Sequence, residues 1–567
     1  MPRFVFGSQS LSESTTEIVA KHSDEVLAVL EFAEKESAAG SYVAVMLSYE
    51  AAPAFDPVFT VHQPSDFPLA WAAAFKETSD LESFVGATIS SNSWAPRVER
   101  NEYDDAVARI RELIAAGDTY QVNYSFPVTA NFQGDYFAWY RSLCVAQGAE
   151  YSAYIDLDRY KVLCLSPELF FKRQGNHVVT KPMKGTIRRG RWTKEDRELA
   201  QWLKHSPKDR AENVMIVDLL RNDLGKVSVP GSVHVSSLFD VERFETVWQM
   251  TSTVESTLNE GTTLPSLMQA LFPCGSITGA PKIRTMQIIR ELERFPRGAY
   301  TGVIGLLQPG GDCVFNVAIR TVVIDTETDQ ATFGVGGGIV IDSTAEREYE
   351  ECLVKSRFLY ATPVEFQLFE SILLEDGEYF LLAEHLERLK DSAEYFNFRF
   401  MGRRINADLE RIVSGAGSFK VKLTLWKDGR IDTQVVPIQK LEEGIALAKE
   451  PVDSSDPFLF HKTTRRRGGD NVIFWNERGE VTESSIANIV VPIDGELYTP
   501  PIECGLLPGV FRNHLLAAGT IKERIITIEE FNHAPEFFLI NSVRKWISTT
   551  KSPRAPGETP ATPESTP

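Results

Sequence analysis

Hydrophobic and polar positions alternate between helical and strand spacing, irregularly, from the start of the chain to about residue 360. No fixed period indicates repeats. The spacing predicts a helix over residues 346–360, opened by a capping box at Ser343-Thr344-Ala345-Glu346, which would set Glu348 and Glu351 on one face. A second helical pattern carries Glu212, with Ala211, Val214, Met215 and Leu219 as its apolar face and the carboxylate on the other side. The run Phe315 to Thr321 reads as a strand ending near Arg320, and Ile339-Val340-Ile341 as another. Proline disfavours helix in the residue before it, so the chain should break near Ala361-Thr362-Pro363. A second unit then opens with a strand at 366–374, the turn Glu375-Asp376-Gly377, a strand at 379–382 and an amphipathic helix through Leu389.

These patterns predict a two-domain α/β (α+β) protein, with domains at 1–360 and 366–550. The tail 551–567 is Pro, Thr, Ser and Glu with almost nothing to bury, and disorder is the expectation there. The length of 567 residues exceeds what one core usually serves, and 43% apolar residues suffice for more than one. A formal charge of −19 argues against a general nucleic-acid or anionic-membrane surface, so an anionic substrate needs local cations. The six cysteines are scattered without a C-x-x-C pair, which speaks against a disulfide framework or thiolate metal site. With no signal peptide and no membrane span in the sequence, the expected location is the cytoplasm. The run Gly334-Val335-Gly336-Gly337-Gly338 leads into a strand reading rather than a helix, which excludes a dinucleotide-binding fingerprint.

Several segments together resemble the chorismate-utilising enzymes: Ser166-Pro167-Glu168, Lys181-Pro182-Met183-Lys184-Gly185-Thr186, Asp209-Arg210-Ala211-Glu212-Asn213 running to Leu219-Leu220-Arg221-Asn222-Asp223, Gly275-Ser276-Ile277-Thr278-Gly279-Ala280-Pro281-Lys282, and Gly336-Gly337-Gly338-Ile339-Val340. The resemblance implies a large β-sandwich flanked by helices. It also implies that Lys184 is the nucleophile which directs amination of chorismate to C4, in a loop where anthranilate synthases carry alanine. Glu168 would be the general acid, and Glu212, Glu348 and Glu351 would hold Mg²⁺ against the ring carboxylate. Arg320, Tyr300, Thr278, Lys355 and the backbone of Gly336, Gly337 and Gly338 would bind the substrate. An unperturbed lysine is charged at neutral pH, so burial or neighbouring cations must lower the pKa of Lys184, and Lys181, Arg188 and Arg189 are nearby in sequence. Where many relatives carry a histidine, this chain has Gln249, which cannot titrate. No G-x-C-x-G-x-Q stretch surrounds any cysteine, so the resemblance implies a separate glutamine amidotransferase subunit supplying ammonia.

From Phe366 to about Thr550 the chain resembles the class IV pyridoxal-phosphate enzymes, which include 4-amino-4-deoxychorismate lyases. The segments are His385-Leu386-Glu387-Arg388-Leu389, His461-Lys462-Thr463-Thr464, Thr482-Glu483-Ser484-Ser485-Ile486-Ala487-Asn488, and Gly505-Leu506-Leu507-Pro508-Gly509-Val510. They imply that Lys462 forms the Schiff base and serves as general base, and that Glu483 keeps the pyridine nitrogen protonated. The phosphate would be held by Arg388, Gly509, Val510 and Ser542. Such enzymes usually dimerise, so a homodimer through this domain is an expectation. The interval between Lys462 and Glu483 is short, with Arg465-Arg466-Arg467-Gly468-Gly469-Asp470 in place of the usual helix. The two resemblances imply 4-aminobenzoate synthesis for folate. The alternative is a chorismate aminase, or an anthranilate synthase, with a non-catalytic docking domain.

Overall fold

The computed structural model describes residues 3–81, 93–360, 365–412, 417–438, 445–466 and 472–549. The expected break at 361–363 and the tail from 551 lie outside them. The chain divides into two compact units, Met1–Arg188 with Ala200–Pro363, and Arg189–Leu199 with Val364–Pro567. Residues Arg189–Leu199 therefore count with the second unit, a crossing that the pattern along the chain gave no sign of. Within that unit the Arg189 guanidinium pairs with Asp196 at 2.7 Å and lies over the Tyr395 ring at 4.6 Å.

The first unit contains two ten-stranded, antiparallel sheets. One is centred on Gln121–Asn131, Gln330–Ile339, Thr321–Asp325, Tyr160–Ser166 and Tyr151–Leu157. The other runs from Met183–Arg188 through Val247–Thr257, His177–Lys181, Leu169–Gln174 and Cys313–Val317 to Val303–Leu307 and Tyr42–Leu47. Alternation along each strand gives both sheets an apolar inner face, where Phe4, Met46, Trp71, Ile155, Val162 and Ile304 form one buried cluster. Their outer faces are apolar too and are covered by helices. Val26–Ala38, Pro207–Gly225 and Leu264–Leu271 contribute to the cluster on one sheet; Arg100–Ala115, Tyr136–Gln147 and Lys282–Leu292 contribute to that on the other. This is the helix-flanked β-sandwich expected.

Several local readings needed correction. The helix starting at Ala345 ends at Ser356 and gives way to a 3₁₀ turn at Arg357–Tyr360. Its N-cap, Thr344, makes no side-chain cap. Instead the Ser343 hydroxyl accepts from the Val340 amide at 3.1 Å and donates to Glu348 at 2.7 Å, so the expected capping box is replaced by a bond to a candidate site carboxylate. Helix Pro207–Gly225 buries Asn213, Ile216, Val217, Leu220 and Leu224, while Ala211 and Val214 are exposed. Glu212 consequently shares a half-buried face with Met215 and Leu219 rather than opposing them. Lys184 lies in strand Met183–Arg188 rather than a loop.

The second unit pairs a four-stranded antiparallel sheet with a mixed eight-stranded one. Leu368–Glu375 and Ser418–Leu425 pack against helices Leu382–Phe396 and Gly402–Glu410 around Leu389, Ile405 and Leu423. The second strand of the opening hairpin is only Glu378–Tyr379, because the helix already begins at Leu382. The larger sheet carries Val481–Ser484 and Asn488–Ile493 at its centre.

Candidate active sites

In the first unit, a register shift between Met183 and Thr186 places Lys184 and Gly185 in a bulge against strand Val247–Thr257. Such bulges re-aim a side chain. Gly185 has φ +96°, and a Cβ there would lie 2.9 Å from Cβ of Asp209, so both conformation and contact call for glycine. Thr186 donates to Gln249 at 2.9 Å, which gives this glutamine a structural bond beside the bulge.

The Lys184 amine shares its surroundings with Glu212, Glu168, Lys355 and Glu351. Burial pushes its pKa down, Lys355 reinforces this, and Glu212, Glu168 and Glu351 oppose it. The cations expected to act here lie elsewhere: Lys181 pairs with Glu242 at 2.5 Å, Arg188 is exposed, and Arg189 pairs with Asp196. Glu168 is 3% exposed and burial raises it to about 7. Ser276, from the Gly-Ser-Ile-Thr-Gly segment, donates to it at 2.7 Å.

The glycine run lies inside strand Gln330–Ile339, and close approach explains its composition. A Cβ on Gly334 would meet the Tyr300 ring at 2.3 Å, one on Gly336 would meet Ser125 at 2.4 Å, and one on Gly337 would lie 3.3 Å from Glu348. Lys355 donates to the Gly336 carbonyl at 2.9 Å and pairs with Glu351 at 2.8 Å. The Tyr300 hydroxyl is 3.4 Å from that of Ser125. Thr278 is buried, with its hydroxyl donating to the Cys274 carbonyl at 3.1 Å.

Arg320 falls between two strands, beyond Val317 and just before Thr321, with φ +50°. Its guanidinium donates to Gln147 at 2.7 Å. Burial alone lowers its pKa, to about 10. Among the described residues no carboxylate offsets this loss of water, so an anion from outside would stabilise its charge.

Glu212, Glu348 and Glu351 influence one another, but each has its own partner: Lys208 at 3.8 Å, Ser343 at 2.7 Å and Lys355 at 2.8 Å. Among the described residues, no three carboxylate, histidine or cysteine groups converge on an ion position. Burial raises Glu212 and Glu348, with a neighbouring acid adding to each, whereas Lys355 lowers Glu351. Glu212 and Glu348, each raised in part by a neighbouring acid, are hard oxygen donors of the kind that suits Mg²⁺.

In the second unit Lys462 lies at the strand Leu368–Glu375, where its carbonyl accepts from the Phe369 amide at 3.0 Å and its amine sits 5.1 Å from the Phe369 ring centre. Burial pushes this amine down to about 7, aided by Arg388. Arg388 forks onto Glu370 at 2.9 and 2.6 Å, and donates to the Pro508 carbonyl at 3.3 Å. Burial disfavours charge on Glu370, yet Arg388 and His385 hold it well below the usual carboxylate range. Glu483 is 4% exposed; burial raises it, and the Arg466 guanidinium contacts it directly. Gly509 caps helix Val510–Ala517, and a Cβ there would lie 2.0 Å from Oδ1 of Asn488. Ser542 is buried in the turn after Phe537–Asn541.

A buried amine of depressed pKa, a buried acid and a glycine-started helix beside an arginine fit pyridoxal phosphate. Glu370 and Arg466 were not anticipated. Their signal, if any, is the Arg466 position four residues after Lys462; residues 467–471 lie outside those described.

Residues 85–361 match the chorismate binding enzyme family, and residues 367–447 and 452–551 match the amino-transferase class IV family. A segment matching the chorismate binding enzyme family is thus followed in one chain by segments matching the amino-transferase class IV family. Its first domain is 43% identical over 265 residues to aminodeoxychorismate synthase component 1 of Salmonella typhimurium, covering 47% of this chain and 58% of that protein. It is 38% identical over 268 residues to anthranilate synthase component 1 of Aquifex aeolicus, covering 47% and 54%. The chain therefore spans little more than half of these relatives' own length. Among solved structures, anthranilate synthase component I from Streptococcus pneumoniae superposes with a TM-score of 0.56 at 25% identity, covering 63% of this chain and 92% of that one.

Proposed function

We propose that the first domain converts chorismate and ammonia to 4-amino-4-deoxychorismate and water, and that the second eliminates pyruvate to give 4-aminobenzoate for folate. The observation that carries this reading is the half-buried Lys184, its amine lowered in pKa by loss of water, sharing its surroundings with an acid of pKa about 7, Glu168. The neutral amine attacks C2, the two conjugated ring double bonds shift, from C1–C2 and C5–C6 to C1–C6 and C4–C5, and the C4–O bond breaks as Glu168 delivers its proton, so the hydroxyl leaves as water. Ammonia then bonds to C4, both double bonds shift back and the C2–lysine bond breaks. The new ammonium returns a proton to Glu168, so the balance is chorismate plus ammonia in, aminodeoxychorismate plus water out.

Arg320 and the Gly336–Gly338 backbone would hold the enolpyruvyl carboxylate beside Tyr300 and Thr278. Glu212, Glu348 and Glu351 would hold Mg²⁺, which supplies a positive charge for the ring carboxylate, while Lys355 keeps Glu351 ionised. A glutamine amidotransferase partner supplies the ammonia, a reading supported by the lack of its nucleophile motif around the six cysteines, all unpaired. Unpaired thiols and the lack of any helix, among the described residues, long and apolar enough to cross a membrane support a cytoplasmic location.

In the second domain Lys462, Arg388, Glu483, Gly509, Val510 and Ser542 would hold pyridoxal phosphate, which supplies an electron sink at the amine-bearing carbon. Lys462, at about 7, is poised to take the C4 proton. Pairing of two chains through this domain belongs to the same reading, and a monomer mass in light scattering would refute it.

The test is to incubate the full chain with chorismate, MgCl₂ and ammonium, with and without pyridoxal phosphate, and to identify the products. Para-aminobenzoate supports the reading; ortho-aminobenzoate refutes it. Lys184→Ala should abolish aminodeoxychorismate formation.

A further inference from the structure

Strand Met183–Arg188, which carries Lys184, stands at the end of its sheet and pairs with Val247–Thr257 alone among the described strands. From Arg188 the chain passes at once into Arg189–Leu199, which belongs to the second unit, and it returns to the first at Ala200. Helix Thr193–His205 then leads through Ser206 into helix Pro207–Gly225, which carries Glu212. The two elements that bring Lys184 and Glu212 to the candidate site are therefore joined by a segment held in the other unit.

The hold is polar and close. Arg189 is 8% exposed, forks onto Asp196 at 2.8 and 2.7 Å, and donates to the Tyr395 carbonyl at 3.2 Å. Gly190 gives its amide to Asp196 at 2.8 Å and accepts the Tyr395 hydroxyl on its carbonyl at 2.7 Å. A Cβ on Gly190 would lie 2.1 Å from the Asp196 amide nitrogen, so this close approach calls for glycine. Trp192 packs on Phe460, with 5.0 Å between ring centres. Charge-assisted bonds in a buried setting favour one geometry over many.

We infer that Tyr395 and Phe460 are positioning residues for the amination: they fix Arg189–Leu199, and through it the course of the strand with Lys184 and of the helix with Glu212. The inference rests on the amination reading above. A nucleophile slightly out of place loses its line of attack on C2 without losing substrate affinity, so the role belongs in kcat rather than in the KM for chorismate. It also bears on the lysine's proton. Loss of water lowers the pKa of Lys184, and a strand released at one end readmits water, which raises that pKa towards the ordinary value. The neutral amine then needs a higher pH.

The experiment is steady-state kinetics of the full chain with chorismate, MgCl₂ and ammonium chloride, with aminodeoxychorismate and 4-aminobenzoate summed so that the second reaction does not enter. For Trp192→Ala we expect kcat to fall about tenfold, the KM for chorismate to stay within about twofold, and the acid limb of the pH profile to move to higher pH. An unaltered kcat overturns the inference. So does a fall in kcat with the acid limb unmoved, which would mark Trp192 as a packing residue whose loss only reduces the folded fraction. If Trp192→Ala does not fold, Tyr395→Phe, which deletes only the hydroxyl on the Gly190 carbonyl, carries the test: kcat should fall about threefold with the same movement of the acid limb, and neither change overturns the inference. Wild-type chain that forms no aminodeoxychorismate from chorismate and ammonium overturns the amination reading itself; wild-type turnover with unaltered variants overturns only the positioning role.

Discussion

In the proposed amination Glu168 and Lys184 need opposite proton states, and burial pushes their pKa values towards each other. Glu168 must be protonated to release water, and burial raises it to about 7, so the rate should fall as pH rises through that value. Lys184 must be neutral and its pKa is lowered, so the rate should also fall as pH drops below it. The pH profile of chorismate amination should therefore be bell-shaped, and Glu168→Gln should remove its alkaline limb and lower kcat by roughly 10²–10⁴-fold. Both residues were recognisable from their flanking segments. The cause of the lysine's shift was not, because Lys181, Arg188 and Arg189 are neighbours only along the chain. A bulged strand sends Lys184 away from them, to burial and to Lys355 from a distant helix.

At the scale of elements, the long segment from Asp209 to Asp223 is a helix whose two ends have different tasks. Glu212 near its start faces the site, whereas Asp223 near its end is 2% exposed and receives Lys282 at 2.9 Å and Lys226 at 2.7 Å. Lys282 begins the helix after the Gly-Ser-Ile-Thr-Gly turn, so this pair ties that turn, with Ser276 and Thr278, to the helix carrying Glu212. Removing one partner of a buried pair strands the other charge. Asp223→Asn should thus cost about 3 kcal/mol in urea unfolding followed by fluorescence of the first unit, and a loss below about 1 kcal/mol would refute the tie. Helical spacing revealed that this helix exists, but the choice of buried face went to Ile216, Val217, Leu220 and Leu224, of which Val217 and Leu224 join the core cluster on the sheet. Likewise Ser343-Thr344-Ala345-Glu346 has the letters of a capping box, yet Ser343 bonds Glu348, a partner that local pattern rules do not weigh.

Across the whole molecule, the proposed reading puts two chemistries on one ring into one chain, and the second can be tested apart from the first. Wild-type protein with pyridoxal phosphate should show a visible absorbance band that borohydride fixes to Lys462, and Lys462→Ala should lack it. With chorismate and ammonium, that variant should accumulate 4-amino-4-deoxychorismate, detected by chromatography, with 4-aminobenzoate reduced to the spontaneous rate. A chromophore that persists in Lys462→Ala would refute the role of this lysine. A mixed helix-and-sheet fold with a helix-flanked sandwich, and two lysines as candidates, could be read from residues alone, because hydrophobic period and short motifs are local properties of the chain. The membership of Arg189–Leu199 in the second unit could not. Nor could the pairing of Arg388 with Glu370 or the Arg466 contact on Glu483. Each of these depends on which groups lose water together, and desolvation is settled by packing between segments far apart in the chain rather than by the order of residues within any one of them.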